Sequence, residues 1–247
     1  MKWAILSNPP IREAIIDFKY QYNDINDTFN KIDKFIDLQK GIFIDIKKRT
    51  RFGIQIEGNI NLDNKDIKTS NELEGYVMNS SDKKRVIILT TNSFSYHIIK
   101  PYSNWNSFYS EANEIWGSFF NLFDNLNFNR IALRYINEID FKFPLDGNLN
   151  DSILTMPNLP EKMPKVLNHY FLQMGVSDIQ KELKANITQT FKPPEGDKLS
   201  FIFDIDVYKN KTYNDEISLW NDINILRDFK NTIFFNSLSK EIIKRYE

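Results

Sequence analysis

Apolar and polar residues alternate along several stretches of the chain, and the most regular alternation runs from Arg130 to Lys142. In a β-strand, successive side chains point to opposite faces, so this stretch would have one apolar face and one mostly charged face. The apolar face would carry Ile131, Leu133, Tyr135, Asn137, Ile139 and Phe141, and the other face Arg130, Ala132, Arg134, Ile136, Glu138, Asp140 and Lys142. This contrast predicts a strand that packs on helices with one side and presents charge with the other.

Other stretches show the same period-two pattern and predict further strands. The first, from Arg12 to Tyr22, places Ala14, Ile16, Phe18, Tyr20 and Tyr22 on its apolar face. The remaining predicted strands are Lys47–Gly58 with Phe52 inward, Leu73–Asn79, Arg85–Thr91, Phe94–Lys100, Leu167–Val176, Leu183–Phe191 and Leu199–Tyr208. The polar run 59–71 predicts a loop.

Three stretches show helical spacing of apolar residues, and the first two have a capping residue at the start. The first is capped by Asp27 or Thr28 and ends near Gly41. The second follows Asn104 as N-cap and carries a broad aromatic stripe, which we interpret as a core face rather than a ligand site. The third runs from about Asp215 to Phe235.

Strands in antiparallel runs with long helices between them predict an α+β fold, with mostly antiparallel sheet and the helices packed on one face. A length of 247 residues is compatible with a single domain spanning 1–247. A second interpretation has two similar halves, 1–143 and 165–247, joined by a Pro-rich and Asn-rich loop over 144–164.

The amino-acid composition argues against several classes of partner and site. The formal net charge is -1, so no global basic field favours nucleic acid, and we expect no nucleic-acid partner. The chain has no cysteine, which excludes disulfides, thiolate metal sites and a cysteine nucleophile. We read no signal peptide and no membrane-spanning stretch, and therefore expect a cytoplasmic protein without a membrane partner.

The charged face of the 130–142 strand is the main candidate binding surface. Arg130, Arg134 and Glu138 are spaced roughly 13 Å apart along one strand, so their ion-pair partners must come from neighbouring strands. Candidate partners on other predicted polar faces are Glu13, Asp17, Asp204 and Asp206. The functional interpretation is a surface, formed by Arg130, Arg134, Glu138 and Glu13, that holds a protein partner or a second copy of the chain. A salt-bridged outer surface without a binding role is the other interpretation.

Asp204 and Asp206 lie on one face of a predicted strand, roughly 7 Å apart, a spacing that suits a divalent cation. Together with Arg130 and Arg134 as an anion clamp, they define the alternative function, a phosphate- or nucleotide-handling enzyme that uses Mg²⁺. No third carboxylate or glycine-rich loop accompanies them, and ion-paired aspartates without a metal are the simpler interpretation. His97 and His169 have no evident Asp or Ser partner in a triad pattern.

Several segments together resemble an uncharacterised, sporadically distributed family of prokaryotic proteins. The matching segments include residues 8–14 (NPPIREA), Gly75-Tyr76, Pro101-Tyr102 with Trp105 and Trp116, residues 130–137 (RIALRYIN), Asp204-Ile205-Asp206 and residues 231–235. The resemblance implies a single-domain unit but no reaction. The sporadic distribution of the family favours a role in mobile-element conflict, such as phage defence or toxin neutralisation.

No complete catalytic constellation is evident in the sequence. The first hypothesis is therefore a non-enzymatic binding or accessory protein without a cofactor that uses the charged sheet face.

Overall fold

The computed structural model contains a sheet of nine antiparallel strands. It describes residues 3–58, 65–124, 126–145, 148–160, 162–163, 169–213 and 215–247, without the side chains of 53–58 and 65–70. The strands are β1 (Ile11–Gln21), β2 (Phe43–Gly58), β3 (Lys65–Ser80), β4 (Arg85–Thr90), β5 (Ser93–Ile99), β6 (Asn127–Lys142), β7 (Phe171–Asp178), β8 (Leu183–Phe191) and β9 (Lys198–Tyr213). The helices are α1 (Ile25–Gln39), α2 (Trp105–Phe120), α3 (Glu216–Ser237) and α4 (Lys240–Lys244). The predicted α+β class with an antiparallel sheet is confirmed.

The strand order is β2-β3-β4-β5-β1-β6-β9-β8-β7, so β1 and β6 pair at the centre. The meander that follows β1 in sequence ends on β5, which pairs with β1. The meander that follows β6 ends on β9, which pairs with β6. A long helix, α2 or α3, follows each meander. A central strand, a meander and a long helix thus follow one another twice along the chain, although α1 precedes only the first meander, and one continuous sheet contains both sets.

The three long helices pack on the apolar face of the sheet through aromatic rings. Phe18 of β1 lies with its ring centroid 4.3 Å from that of Trp116 in α2 and 5.5 Å from that of Trp220 in α3. Phe35 of α1 contacts Phe94 of β5 at 6.1 Å. These rings are buried, which confirms that the aromatic stripe of α2 is a core face. Burial of this apolar surface provides the main stabilisation of the fold.

The capping residues position two of the helices where the sequence predicts them. Asn104 accepts a hydrogen bond from the Ser107 amide at 2.9 Å, and Asp215 accepts one from the Ser218 amide at 2.7 Å. The predicted cap of α1 is wrong, because Asp24 accepts the Asp27 amide hydrogen and the helix starts three residues earlier. Asp24 accepts a hydrogen bond from an unpaired backbone N–H group at the start of the helix, which is the role predicted for Asp27.

The long hairpin of β2 and β3 differs most from the prediction. Residues 65–71 belong to β3 rather than to a loop, because a continuous register with β2 supplies their backbone partners despite their polar side chains. Only Gly75–Asn79 of β3 pair with β4, so the rest of the hairpin extends beyond its neighbour. Phe52, predicted to point inward, is 64% exposed since no helix lies against it there. The rest of the predicted loop, 59–64, lies outside the described residues.

The connection between the halves contains local structure. A short 3-10 helix covers Leu149–Asp151, and Ile153 forms an isolated bridge with Leu238 after α3. Part of this predicted loop, and the start of the predicted strand 167–176, lie outside the described residues. None of the helices in the described part of the chain is long and apolar enough to cross a membrane.

Candidate functional site

The predicted charged residues lie together on the sheet face opposite the helices. Arg130 contacts Asp17 of β1 at 2.8 Å and Asp206 of β9 at 3.4 Å, and Arg134 donates to Asp204 with Nε–Oδ1 at 2.8 Å. The partners come from neighbouring strands, as the spacing predicts. We call this ion-paired surface, centred on Arg130, Arg134, Asp204 and Asp206, the charged face.

The other two predicted binding residues also have partners. Glu138 accepts from Arg12 at 3.1 Å and from Lys192 at 2.5 Å. Glu13 accepts from Nδ1 of His97 at 2.6 Å, and this hydrogen bond lowers the pKa of Glu13 despite partial burial. Both arginines and both glutamates are thus already neutralised inside the face. An anion clamp at Arg130 or Arg134 would have to displace an aspartate.

The prediction that His97 lacks triad-like partners is wrong. Nε2 of His97 lies 2.9 Å from Oγ of Ser95, and Nδ1 contacts Glu13, so the three groups form the hydrogen-bond order of a Ser-His-acid triad. The sheet register brings them together because Glu13 and His97 lie on paired strands. However, β5 pairs with β1 on one side and β4 on the other, which commits its backbone amides to the sheet. These amides therefore cannot form an oxyanion hole beside Ser95.

The two aspartates considered for a metal are held by arginines. Burial raises the pKa of Asp206 and of the neighbouring Asp17, and the Arg130 guanidinium between them opposes that effect. Hydrogen bonding to Asp204 in turn raises the pKa of Arg134. Within the described ranges, no group of three His, Asp or Glu side chains is arranged to hold a metal ion. A cation at Asp204 and Asp206 would therefore compete with Arg130 and Arg134.

A cavity of about 420 Å³ lies at one end of the helical layer. The N-terminal segment, the start of α2, strand β6 and the second half of α3 enclose it. Aromatic rings form much of its wall, and the stacked rings of Trp3 and Phe235, 5.2 Å apart and nearly parallel, link the N-terminal segment to α3. This volume lies in the range of small-molecule sites. We call it the aromatic cavity.

Two cations of α3 line the aromatic cavity, and neither forms an ion pair within the described part of the chain. The Arg227 guanidinium lies 5.1 Å from the ring centroid of Trp105, and Nζ of Lys230 lies 4.0 Å from the ring centroid of Tyr135. Burial, together with the weaker effect of the positive charge of Arg227, lowers the pKa of Lys230 to about 7. Aromatic faces hold both cations at the cavity wall.

Uncharged polar groups complete the lining. Asn231 is 8% exposed, and its side-chain amide forms no hydrogen bond within the described ranges. The hydroxyl groups of Tyr102 and Tyr135 lie 3.0 Å apart, and burial raises the pKa of Tyr102 to about 12 and that of Tyr135 as well. Both phenols are therefore protonated at neutral pH.

The aromatic cavity was missed by reasoning from the sequence alone. Four segments contribute to its lining: residues 8–14, Pro101-Tyr102 with Trp105, residues 130–137 and residues 231–235. They are far apart in the sequence, and only the fold brings them together. One available signal was the helical spacing of Arg227, Lys230, Asn231 and Phe234, which places cations and an amide beside an apolar residue on one helix face.

A comparison with models of known protein families found no match to this chain, and a comparison with curated proteins found none either.

Proposed function

We propose that this protein binds a small organic anion, a carboxylate or phosphate attached to an aromatic or apolar body, in the aromatic cavity. The observation that carries the proposal is the presence of two cations, Arg227 and Lys230, without carboxylate partners among the described residues, at the wall of an aromatic cavity.

The charge balance favours an anionic ligand. On the charged face, by contrast, Arg130 and Arg134 are matched by aspartates on adjacent strands. At the aromatic cavity, Asp228 is the acidic residue of the lining, and it is exposed and forms no ion pair within the described ranges. An arginine can bind a carboxylate or phosphate through two parallel hydrogen bonds, and a nearby ammonium adds a further point charge.

The remaining lining suits the body of such a ligand. Trp105 and Phe234 are buried but border the cavity, so a ligand ring could contact them without exposing the core. Asn231 also lines the cavity, and its side-chain amide can donate to and accept from a ligand. A combination of apolar and polar lining groups is typical of small-molecule sites, in which the polar groups fix orientation.

The test is calorimetric titration of the protein with 4-methylbenzoate and phenyl phosphate, with toluene derivatives that lack an acid group as neutral controls. We expect binding of at least one anion, and a loss of about tenfold or more in Arg227→Met. Arg245→Met is the matched control, since Arg245 also lies over an aromatic ring, that of Phe141, but does not line the cavity. Equal binding by wild type and Arg227→Met would contradict the proposal.

As a second candidate, the charged face binds a protein partner or a second copy of the chain, as the sequence suggests. It is supported by the position of the long helices on the opposite face, and by the 44% exposure of the Arg134 side chain at the centre of the charged face. The partner would add a third layer over this polar surface. Arg134→Asp should abolish association measured by light scattering, and Arg134→Asp with Asp204→Arg should restore the internal pair but not association. Association unchanged in both variants would exclude this candidate.

A further inference from the structure

We infer that Lys230 forms an imine with the carbonyl carbon of an aldehyde or ketone that also carries the acid group bound in the aromatic cavity. This inference rests on the proposed function and names the ligand class more closely.

The position of the amine is the first argument. Lys230 lines the cavity, and its Nζ lies against the face of the Tyr135 ring, with no carboxylate to hold it as an ammonium ion within the described part of the chain. Arg227, three residues earlier on the same helix, lies toward the same side and repels a second positive charge. An amine that is removed from water beside another cation is the usual form of an imine-forming lysine.

The local electrostatics support a reactive amine. With a pKa of about 7, roughly half of Lys230 is neutral at neutral pH. An ordinary lysine, with a pKa near 10.4, has about one neutral molecule in a few thousand at that pH. The protein thus presents a free lone pair at one place in the cavity, beside a guanidinium that can hold the ligand's acid group.

The bond changes balance without an oxidant or reductant. The neutral amine attacks the carbonyl carbon, the carbon–oxygen π electrons move to oxygen, and proton transfer from nitrogen to oxygen gives a carbinolamine. The hydroxyl group then leaves as water with the remaining proton of the nitrogen, and the carbon–nitrogen double bond forms. The net change is amine plus carbonyl to imine plus water. The paired hydroxyls of Tyr102 and Tyr135, 3.0 Å apart and protonated at neutral pH, can relay these protons.

The probe is 4-carboxybenzaldehyde, which carries an aldehyde and a carboxylate on one ring, followed by reduction with cyanoborohydride at pH 7. Intact mass and peptide mapping then count and locate the reduced adducts. We expect one adduct, on Lys230, formed at least about tenfold faster than on any other lysine, since the larger neutral fraction outweighs the weaker nucleophilicity of a less basic amine. Adducts spread over exposed lysines in proportion to their exposure would overturn the inference.

Two controls separate this inference from the proposed function. Lys230→Arg keeps the positive charge but cannot form an imine, so it should lose the adduct. In wild type, an excess of 4-methylbenzoate should protect Lys230 from labelling, a test that needs no variant. If 4-methylbenzoate binds and no Lys230 adduct forms, the imine is excluded and the proposed function stands. If neither probe binds, both fail.

Discussion

Lys230 should lower the stability of the protein in the absence of ligand, and its replacement by methionine should raise it. Methionine has a similar length and no charge, so Lys230→Met keeps the packing along Tyr135 while removing the buried ammonium. The structure gives the amine no ion-pair partner within the described ranges to offset its loss of hydration. We therefore expect a more stable protein with an impaired ligand site, as is common at functional positions.

The magnitude follows from the two pKa values of Lys230, about 7 in the folded protein and 10.5 as a free side chain. Each pKa unit corresponds to about 1.36 kcal/mol, which sets an upper limit on the order of 5 kcal/mol. Partial exposure of the side chain reduces this limit, and the attraction of the ammonium to the Tyr135 ring offsets about 1 kcal/mol of it. We expect a gain of about 2 kcal/mol at pH 6, or about 4 to 8 °C in Tm.

The pH dependence of the stability gain distinguishes the buried ammonium of Lys230 from other causes of a gain. Between pH 7 and 10.5 the unfolded chain holds a proton on Lys230 that the folded protein has lost, so the cost of Lys230 falls as pH rises through this range. The gain in Lys230→Met should therefore be complete at pH 6 and smaller at pH 9. Urea unfolding at both pH values measures it. Lys209→Met is the control and should be destabilised, because Lys209 contacts the buried Asp222 at 3.2 Å. A Lys230→Met protein no more stable than wild type at pH 6, or a gain independent of pH, would refute the reasoning.

Three further predictions concern the ligand site, the charged face and the sheet. The affinity for 4-methylbenzoate should fall between pH 7 and 9 as Lys230 loses its proton, and titration of Lys230→Arg, which stays charged, should show no such fall. Arg130→Met should lower the free energy of unfolding, measured in urea at pH 7, by about 2 kcal/mol because Asp17 and Asp206 lose their partner. This loss should shrink on acidification as the two aspartates bind protons, and an equal loss at all pH values would contradict an electrostatic origin. Gly75→Ala should cost about 3 kcal/mol, since its Cβ would lie 1.8 Å from the Leu89 carbonyl oxygen, whereas Gly41→Ala, with no atom within 4 Å, should leave Tm nearly unchanged.

The alternation of apolar and polar residues by itself determined the fold class and the two faces of the central strands. Ala14, Ile16 and Phe18 are fully buried, whereas Glu13, Asp17 and Lys19 on the other face of the strand are not, as the period of two requires. The same pattern predicted that Arg130 and Arg134 pair with aspartates of other strands. The predicted cap Asn104 located the start of α2, because a cap depends on residues only a few positions apart.

The tertiary structure alone decided which strands are neighbours, and so which side chains meet. Glu13 and His97 are 84 residues apart, and only the pairing of β1 with β5 joins them. The aromatic cavity depends on long-range packing in the same way, because the N-terminal segment, α2, β6 and α3 each supply one wall. A strand or helix pattern reports which face of an element is buried, not which distant element covers it. Whether Arg227 and Lys230 end in water or over aromatic rings was therefore settled by packing.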